Sequence, residues 1–398
     1  MRNMTEFKLK KFLSSTFICS ALHTSLISCV LIPFFKSVEM LPLQISILIT
    51  IKRLIRIAGD AFFGLIFDRF GAKIVFISGR LMKLISYFIL LIDQKFTTLC
   101  FAMIIYGLSE GTIQGKVSSF IYNNLKANDK LSSFSRAISA YYLVIDVHIA
   151  LMSFIAGILL KMYGYHLVIY ISIIINVFSI WLLIKLIPKD NKDGVNGFQA
   201  KSFKGIFLTL KSVVSKKQLF AYLIAMYGVL VFFAWQFGSI ASMVLLDMGM
   251  DGTGVATFGS LVKIFMAIGT IFSFLFVKNA FTLNQVSVSL LVLVAFGCVG
   301  AGFYNLYLFC VFMLIVDISY VALEVSLEKN LEQMSDKTIR GTAISLAMIF
   351  CNIIACIANL LIGLIAQYFD YKTALCIIVF SNLFVCLCIT IKVIKTKV

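Results

Sequence analysis

Within the stretch IKRLIRIAGD, residues 51–60, the charged residues Lys52, Arg53, Arg56 and Asp60 interrupt apolar sequence that continues on both sides, from Leu43 to Phe67. On a helix at about 100° per residue all four fall within an arc of about 100°, and Leu54, Ala58, Ala61 and Phe62 occupy the other side. Such a helix has a charged face and a greasy one. Counting about 1.5 Å per residue from Pro42, Lys52 lies about 15 Å along, half-way through a hydrocarbon core of about 30 Å if the segment crosses a bilayer. A cation at that depth costs at least about 2.5–3.5 kcal/mol on insertion scales, so the charged face must meet protein or water. Arg56 and Asp60 are four apart and can pair along the helix, yet the cations still outnumber the carboxylate.

Other apolar segments carry charges as well: Arg80 and Lys83, Glu110 and Lys116, Asp146 beside His148, Lys263, and Asp317 with Glu324. A guanidinium binds a carboxylate or phosphate through a planar fork that lysine lacks. Carboxylates withdrawn from water are candidate proton carriers. Together these residues have the chemistry of a polar path for a charged or zwitterionic solute, or, alternatively, of internal ion pairs that hold helices together. No nucleophile–base or metal-ligand constellation stands out. The three histidines form no HExxH pattern, no CxxC or GxxxxGK[ST] occurs, and the ten cysteines mostly lie inside apolar runs as small packing residues. The expectation is therefore no enzyme, no cofactor and no metal.

The elements that carry these charges are legible in composition. Of 398 residues 61% are hydrophobic and only 13% charged, about half the charged share of soluble domains. Twelve apolar spans are predicted at 12–35, 43–67, 74–92, 97–120, 137–160, 166–187, 218–246, 254–277, 284–303, 305–327, 341–367 and 373–391. Their length excludes barrel strands, so the fold class is an all-α polytopic membrane protein. The first span imitates a signal peptide but is too long and lacks a small-residue cleavage site. The net charge of +17 is concentrated in alternate loops, which speaks for cytoplasmic termini on the positive-inside rule and against nucleic acid. The longest polar stretch, 188–217, divides the chain into a half at 1–187 and a half at 218–398. Phe203, Ile206, Phe207 and Leu210 stand at helical spacing among lysines within it, a pattern that fits either an amphipathic helix on anionic inner-leaflet lipids or a plain basic linker. The fragments SRAISA (135–140) and IRGTAISL (339–346) put Arg136 and Arg340 at matching places in the two halves.

Directly after the charged stretch comes GLIFDRFGAK, 64–73. Gly64, Asp68, Arg69, Gly71 and Lys73 resemble the loop signature between the second and third spans of the major facilitator superfamily; Ala72 stands where a basic residue is usual. Gly64 would let helices approach closely, Gly71 would permit a tight turn, and Asp68 could meet a helix N-terminus. The resemblance implies two pseudo-symmetric six-helix halves and a cytoplasmic latch made by Gly64, Asp68, Arg69, Gly71 and Lys73 with Arg136 and Arg340, Asp68 docking near Gly341. It also implies a central cavity on which Arg56, Glu110, Asp146, Lys263 and Asp317 converge, with Arg80 and Lys83 left on an outer helix near the cytoplasmic end. The second-half copy of the motif, near FVKNAF, is degenerate, and the arginine frequent in the fourth span and the Gly-Pro signature of drug/proton antiporters are missing. The function so implied is secondary active transport of a small anionic or zwitterionic solute by alternating access, coupled to protons, by a monomer in a bacterial cytoplasmic membrane. A drug or metabolite efflux antiporter is the alternative within transport, and a transporter-like receptor or assembly factor that moves nothing is the alternative outside it.

Overall fold

The computed structural model describes residues 22–23, 25–113, 116–117, 119–121, 134–187, 218–276, 282–303, 305–334 and 340–395. The linker at 188–217 lies outside them. The described residues form helices and no strand: α1 (Leu26–Ser37), α2 (Pro42–Phe70), α3 (Ala72–Ile92), α4 (Phe96–Gly111), α5 (Phe134–Leu186), α6 (Gln218–Asp247), α7 (Gly252–Phe276), α8 (Leu283–Gly302), α9 (Leu306–Met334), α10 (Arg340–Tyr368) and α11 (Tyr371–Lys395). Between-strand pairing is impossible for isolated segments in lipid, whereas a helix satisfies its backbone internally. Among the described residues five helical stretches are long and apolar enough to cross a membrane: 72–92, 140–186, 252–271, 284–302 and 371–395. Most helix ends lie within a few residues of the predicted spans, but α4 ends at Gly111 against a predicted 120, α9 runs on to Met334 against a predicted 327, and the part of the first predicted span before residue 22 lies outside the described residues. Gly164, at φ 76°, breaks the 53-residue α5 into two helical parts where the sequence reading places a gap between 160 and 166.

Local chemistry sets the ends. Ser25 caps α1 by accepting from the Ser28 amide at 3.3 Å. Gly71, at φ 83°, turns the chain between α2 and α3 in a conformation that side chains with a Cβ rarely adopt. Thr282 and Gln285 form a reciprocal capping box at the start of α8.

The chain divides into two compact units. Unit 1 comprises residues 1–40, 48–198 and 251–264, which takes in α1, most of α2, α3 to α5, and the first part of α7. Within it Ser153 donates to the Ala256 carbonyl at 2.7 Å, and a Cβ added at Gly157 would lie 3.2–3.4 Å from Thr253, Ala256 and Thr257, so α5 and α7 pack through small side chains. Unit 2 comprises residues 41–47, 199–250 and 265–398. There Phe233 fills the space left by Gly297, 2.5 Å from where a Cβ would be, and Thr390 donates to the Ser287 carbonyl across α8 and α11 at 3.3 Å.

Within unit 1, α2 and α4 approach backbone to backbone. A Cβ on Gly107 would meet the Lys52 carbonyl oxygen at 2.5 Å, and one on Gly111 would meet Gly59 and Asp60 backbone atoms at 2.7 and 2.8 Å. Gly107 and Gly111 are four apart, the small-residue spacing that lets membrane helices touch backbone to backbone. Gly64 does not have this role: a Cβ there would meet nothing within 4 Å. The close contact sits a turn earlier, at Gly59. Overpacking so tight a contact costs about 1–3 kcal/mol. Gly111→Ala is therefore expected to lower the melting temperature of the purified protein, and Gly64→Ala to leave it near wild type; equal melting of the two variants would contradict this reading of the crossing.

Candidate functional site

The α2–α4 crossing turns the charged face of α2 towards α4. Leu54 and Phe62, on the other face, are exposed at 45% and 57% of their surface, as a lipid-facing stripe would be. Lys52 meets Glu110 of α4 at 3.4 Å, both side chains 24% exposed. Eight residues on, Asp60 pairs with Lys116, in the segment after α4, whose ammonium also donates to the Gly111 carbonyl at 3.0 Å. Asp60 is thus engaged across the helix pair by Lys116. Arg56 is half-buried and within electrostatic reach of Glu110.

A second charge pair lies between α5 and the first part of α7, where Lys263 meets Asp146 at 3.2 Å, the side chains 29% and 15% exposed. Asp317 belongs to α9 in unit 2 and is buried at 8% exposure; near it a Cβ on Gly269 would lie 3.2 Å from the Ile318 carbonyl oxygen, so α7 and α9 pass closely there. Of the five expected pathway residues, Arg56 and Glu110 are thus near each other and Asp146 and Lys263 are in contact, all four in unit 1, and Asp317 stands in the other unit.

Arg80 and Lys83 depart from expectation. Neither snorkels on an outer surface: they are 1% and 6% exposed. Arg80 donates to Asn176 Oδ1 at 3.3 Å and its carbonyl accepts from Asn176 Nδ2 at 2.9 Å, fixing α3 to the second part of α5. A charged head can snorkel only where its helix faces lipid near an interface, and this face of α3 is covered by α4 and α5. Around it sit other buried polar groups. Ser25 and Tyr87 share a hydrogen bond of 2.5 Å, and His23 and Tyr141 one of 2.7 Å. The Lys52 and Lys83 ammonium groups both lie over the Tyr106 ring, each 5.1 Å from its centroid. Lys52 and Lys83 were among the charges noted in the sequence but not among the five residues expected to converge, and Tyr106 was not singled out. The signal available was the Gly107–Gly111 spacing, which forces α4 onto α2.

At the latch motif, Lys73 donates to the Ile184 and Ile187 carbonyls at 2.6 and 2.8 Å, holding the C-terminal end of α5 as a basic side chain commonly does. Arg69 is exposed and 5.2 Å from the Phe70 ring. The side chains of Asp68, Arg136 and Arg340 lie outside what the structure describes. Among the described residues no group of three or more histidines, cysteines, aspartates or glutamates stands close enough to hold a metal ion.

The family model of the Major Facilitator Superfamily matches residues 13–282. The chain belongs to the major facilitator superfamily. No curated protein matches the sequence. Among solved structures, a point mutant of the nucleoside transporter NupG aligns with a TM-score of 0.75 at 13% identity, covering 94% of this chain and 98% of its own. NupG itself aligns at 0.69 and 14%, covering 95% and 96%. A bacterial homologue of the human lysosomal transporter Spinster, in an inward-facing and occupied conformation, aligns at 0.65 and 12%, covering 95% and 94%. At such identities these neighbours share the fold. The superfamily fold makes this chain an integral multi-pass membrane protein of the secondary-transporter kind.

The Asp60–Lys116 pair gives a test of the geometry. Lys116 is the buried partner at 6% exposure and Asp60 keeps 44%, so removing the carboxylate should cost less than the about 3–5 kcal/mol of a fully buried pair, about 1–3 kcal/mol. Thermal melting of Asp60→Asn, Lys116→Met and the double variant should show the double variant recovering part of the loss. Strictly additive losses would mean that the two groups do not interact.

Proposed function

We propose that this chain moves a small anionic or zwitterionic solute across a bacterial cytoplasmic membrane by alternating access between its halves, 1–187 and 218–398, and that the movement is coupled to protons. The observation that carries this reading is the charge balance inside unit 1. Among the described residues of unit 1, eight basic side chains that are buried or half-buried in or beside the helices, Lys52, Arg53, Arg56, Lys73, Arg80, Lys83, Lys116 and Lys263, stand against four such carboxylates, Asp60, Asp93, Glu110 and Asp146. Internal pairing alone needs equal numbers. Burying surplus cations in hydrocarbon is costly, and such residues characteristically mark solute or ion pathways. A negatively charged solute group offsets the surplus during the part of the cycle in which it is bound. A cationic drug would add to it, which weighs against the drug-export alternative.

In this mechanism Arg56 offers its fork to the solute's carboxylate or phosphate, with Lys263 as a further positive charge, and Glu110 or Asp317 carries the coupling proton. Asp68, Arg69, Arg136 and Arg340 form the cytoplasmic latch, with Gly71 turning the chain between α2 and α3 and Lys73 holding the end of α5, and the basic linker rests against anionic lipid. The protein acts as a monomer, with both termini in the cytoplasm.

Purified protein in proteoliposomes, screened against a metabolite panel with and without a pH gradient, tests the proposal. Uptake of anionic or zwitterionic members, raised by the gradient, is the expected result, and uptake confined to cations contradicts it. Arg56→Lys should weaken solute affinity while leaving melting unchanged, since the ammonium lacks the bidentate fork. Glu110→Gln or Asp317→Asn should abolish gradient-driven accumulation yet preserve counterflow, because exchange releases no proton. Full accumulation by both carboxylate variants would remove proton carriage from these residues.

A further inference from the structure

The charge of Glu110 reaches Lys83, but Lys83 makes no ion pair among the described residues. It is 6% exposed, and among the described residues no carboxylate lies within 4.0 Å of its ammonium. The group it does face is the Tyr106 ring, at 5.1 Å, and Lys52 faces the same ring at the same distance. A cation–π contact offsets only part of the cost of burying an ammonium. The ring does not balance two cations. The only carboxylate paired with Lys52 among the described residues is Glu110, at 3.4 Å, longer than the roughly 2.7–2.9 Å of a well-made bond between ammonium and carboxylate.

Two positive charges and one loosely held negative charge therefore meet at one aromatic plate. The plate is itself fixed, since Tyr106 packs on Tyr87 with ring centroids 6.2 Å apart and Tyr87 is tied to Ser25 of α1. Other groups with electrostatic reach are Arg56 of α2 towards Glu110, and Arg80 of α3 with Cys29 of α1 towards Lys83. None adds a second carboxylate.

We propose that Lys83 and Lys52, arrayed over Tyr106, form the seat for an oxyanion group of the transported solute, and that Glu110 competes with that group for Lys52. The inference rests on the transporter reading above and deepens it. When Glu110 takes a proton from solvent, its negative charge is lost and Lys52 turns to the solute's carboxylate or phosphate. When the solute leaves, Glu110 gives the proton back to solvent and reclaims Lys52. Proton and anion then travel in the same direction, and anion binding tightens as pH falls. No bond other than that to the proton is made or broken.

The experiment compares wild type, Lys83→Met and Glu110→Gln, purified in detergent and melted in sodium acetate or sodium phosphate against sodium chloride at matched ionic strength. Wild type should be stabilised by acetate, phosphate or both beyond chloride, with a response that strengthens at lower pH; the stronger anion tells a carboxylate solute from a phosphate one. Lys83→Met should melt higher than wild type in chloride, having lost a buried charge. It should need about ten- to a hundred-fold more anion for the same shift, the loss expected for one charge-assisted hydrogen bond. Glu110→Gln should need several-fold less anion, and its response should no longer vary with pH. That gain cannot arise from misfolding, so it decides the matter even if Lys83→Met does not fold. A wild-type anion response in Lys83→Met, a weakened one in Glu110→Gln, or none in wild type overturns the seat. Counterflow of a metabolite panel by the same wild-type preparation separates the failures: flux without an anion response removes the seat alone, and absence of flux removes the transport reading beneath it.

Discussion

A charge inside a membrane helix has to be answered by something, and in this protein the answer depends on how closely two helices can approach. Gly107 and Gly111 let α4 lie against the backbone of α2 at Lys52 and Asp60. That contact places Glu110 beside Lys52 and Lys116 beside Asp60. With larger residues at those two positions the helices would separate, and four ionised groups would lose their partners together. Overpacking there is thus a change in charge compensation as well as in packing.

The same constraint explains the division of surfaces. With its charged face against α4, α2 turns Leu54 and Phe62 outward, and the neighbouring α3 buries Arg80 and Lys83 while Ile74, Leu81, Ile85 and Phe88 remain exposed. Each helix thus has an exposed apolar stripe and turns its mid-helix cations inward. Among the described residues of unit 1 the buried and half-buried cations outnumber the carboxylates. The proposed anionic or zwitterionic solute rests on that balance and not on the fold. The fold neighbours include proteins whose named cargo and setting differ, a nucleoside transporter and a homologue of a lysosomal transporter.

Much of the architecture was legible because it rests on local properties. Span length and apolarity located the helices, and the gap between two predicted spans coincides with the break at Gly164. The face of α2 followed from helical periodicity. Partner choice was not legible in the same way, since it depends on which residues stand opposite each other at a crossing. Arg56 and Asp60 have the spacing to pair within one helix, yet Asp60 takes Lys116 across the crossing. Arg80 and Lys83 looked peripheral from their place in the chain, but Asn176, ninety-six positions away, receives Arg80 inside the bundle. Gly64 matched a motif and makes no close contact, whereas the unremarked pair Gly107 and Gly111 makes the decisive one. Small residues at a spacing of four were the available clue, and nothing in α4 alone says which helix they receive.

The central claim is that the buried cations of α2 and α3 receive the negative group of a solute. Hydrogen–deuterium exchange of the purified protein, compared with and without pooled anionic metabolites and pooled cationic ones, tests it most directly. The account predicts that the anionic pool slows exchange in peptides covering residues 52–60, 80–87 and 106–111, and that the cationic pool does not. Protection of those peptides by the cationic pool alone would contradict it.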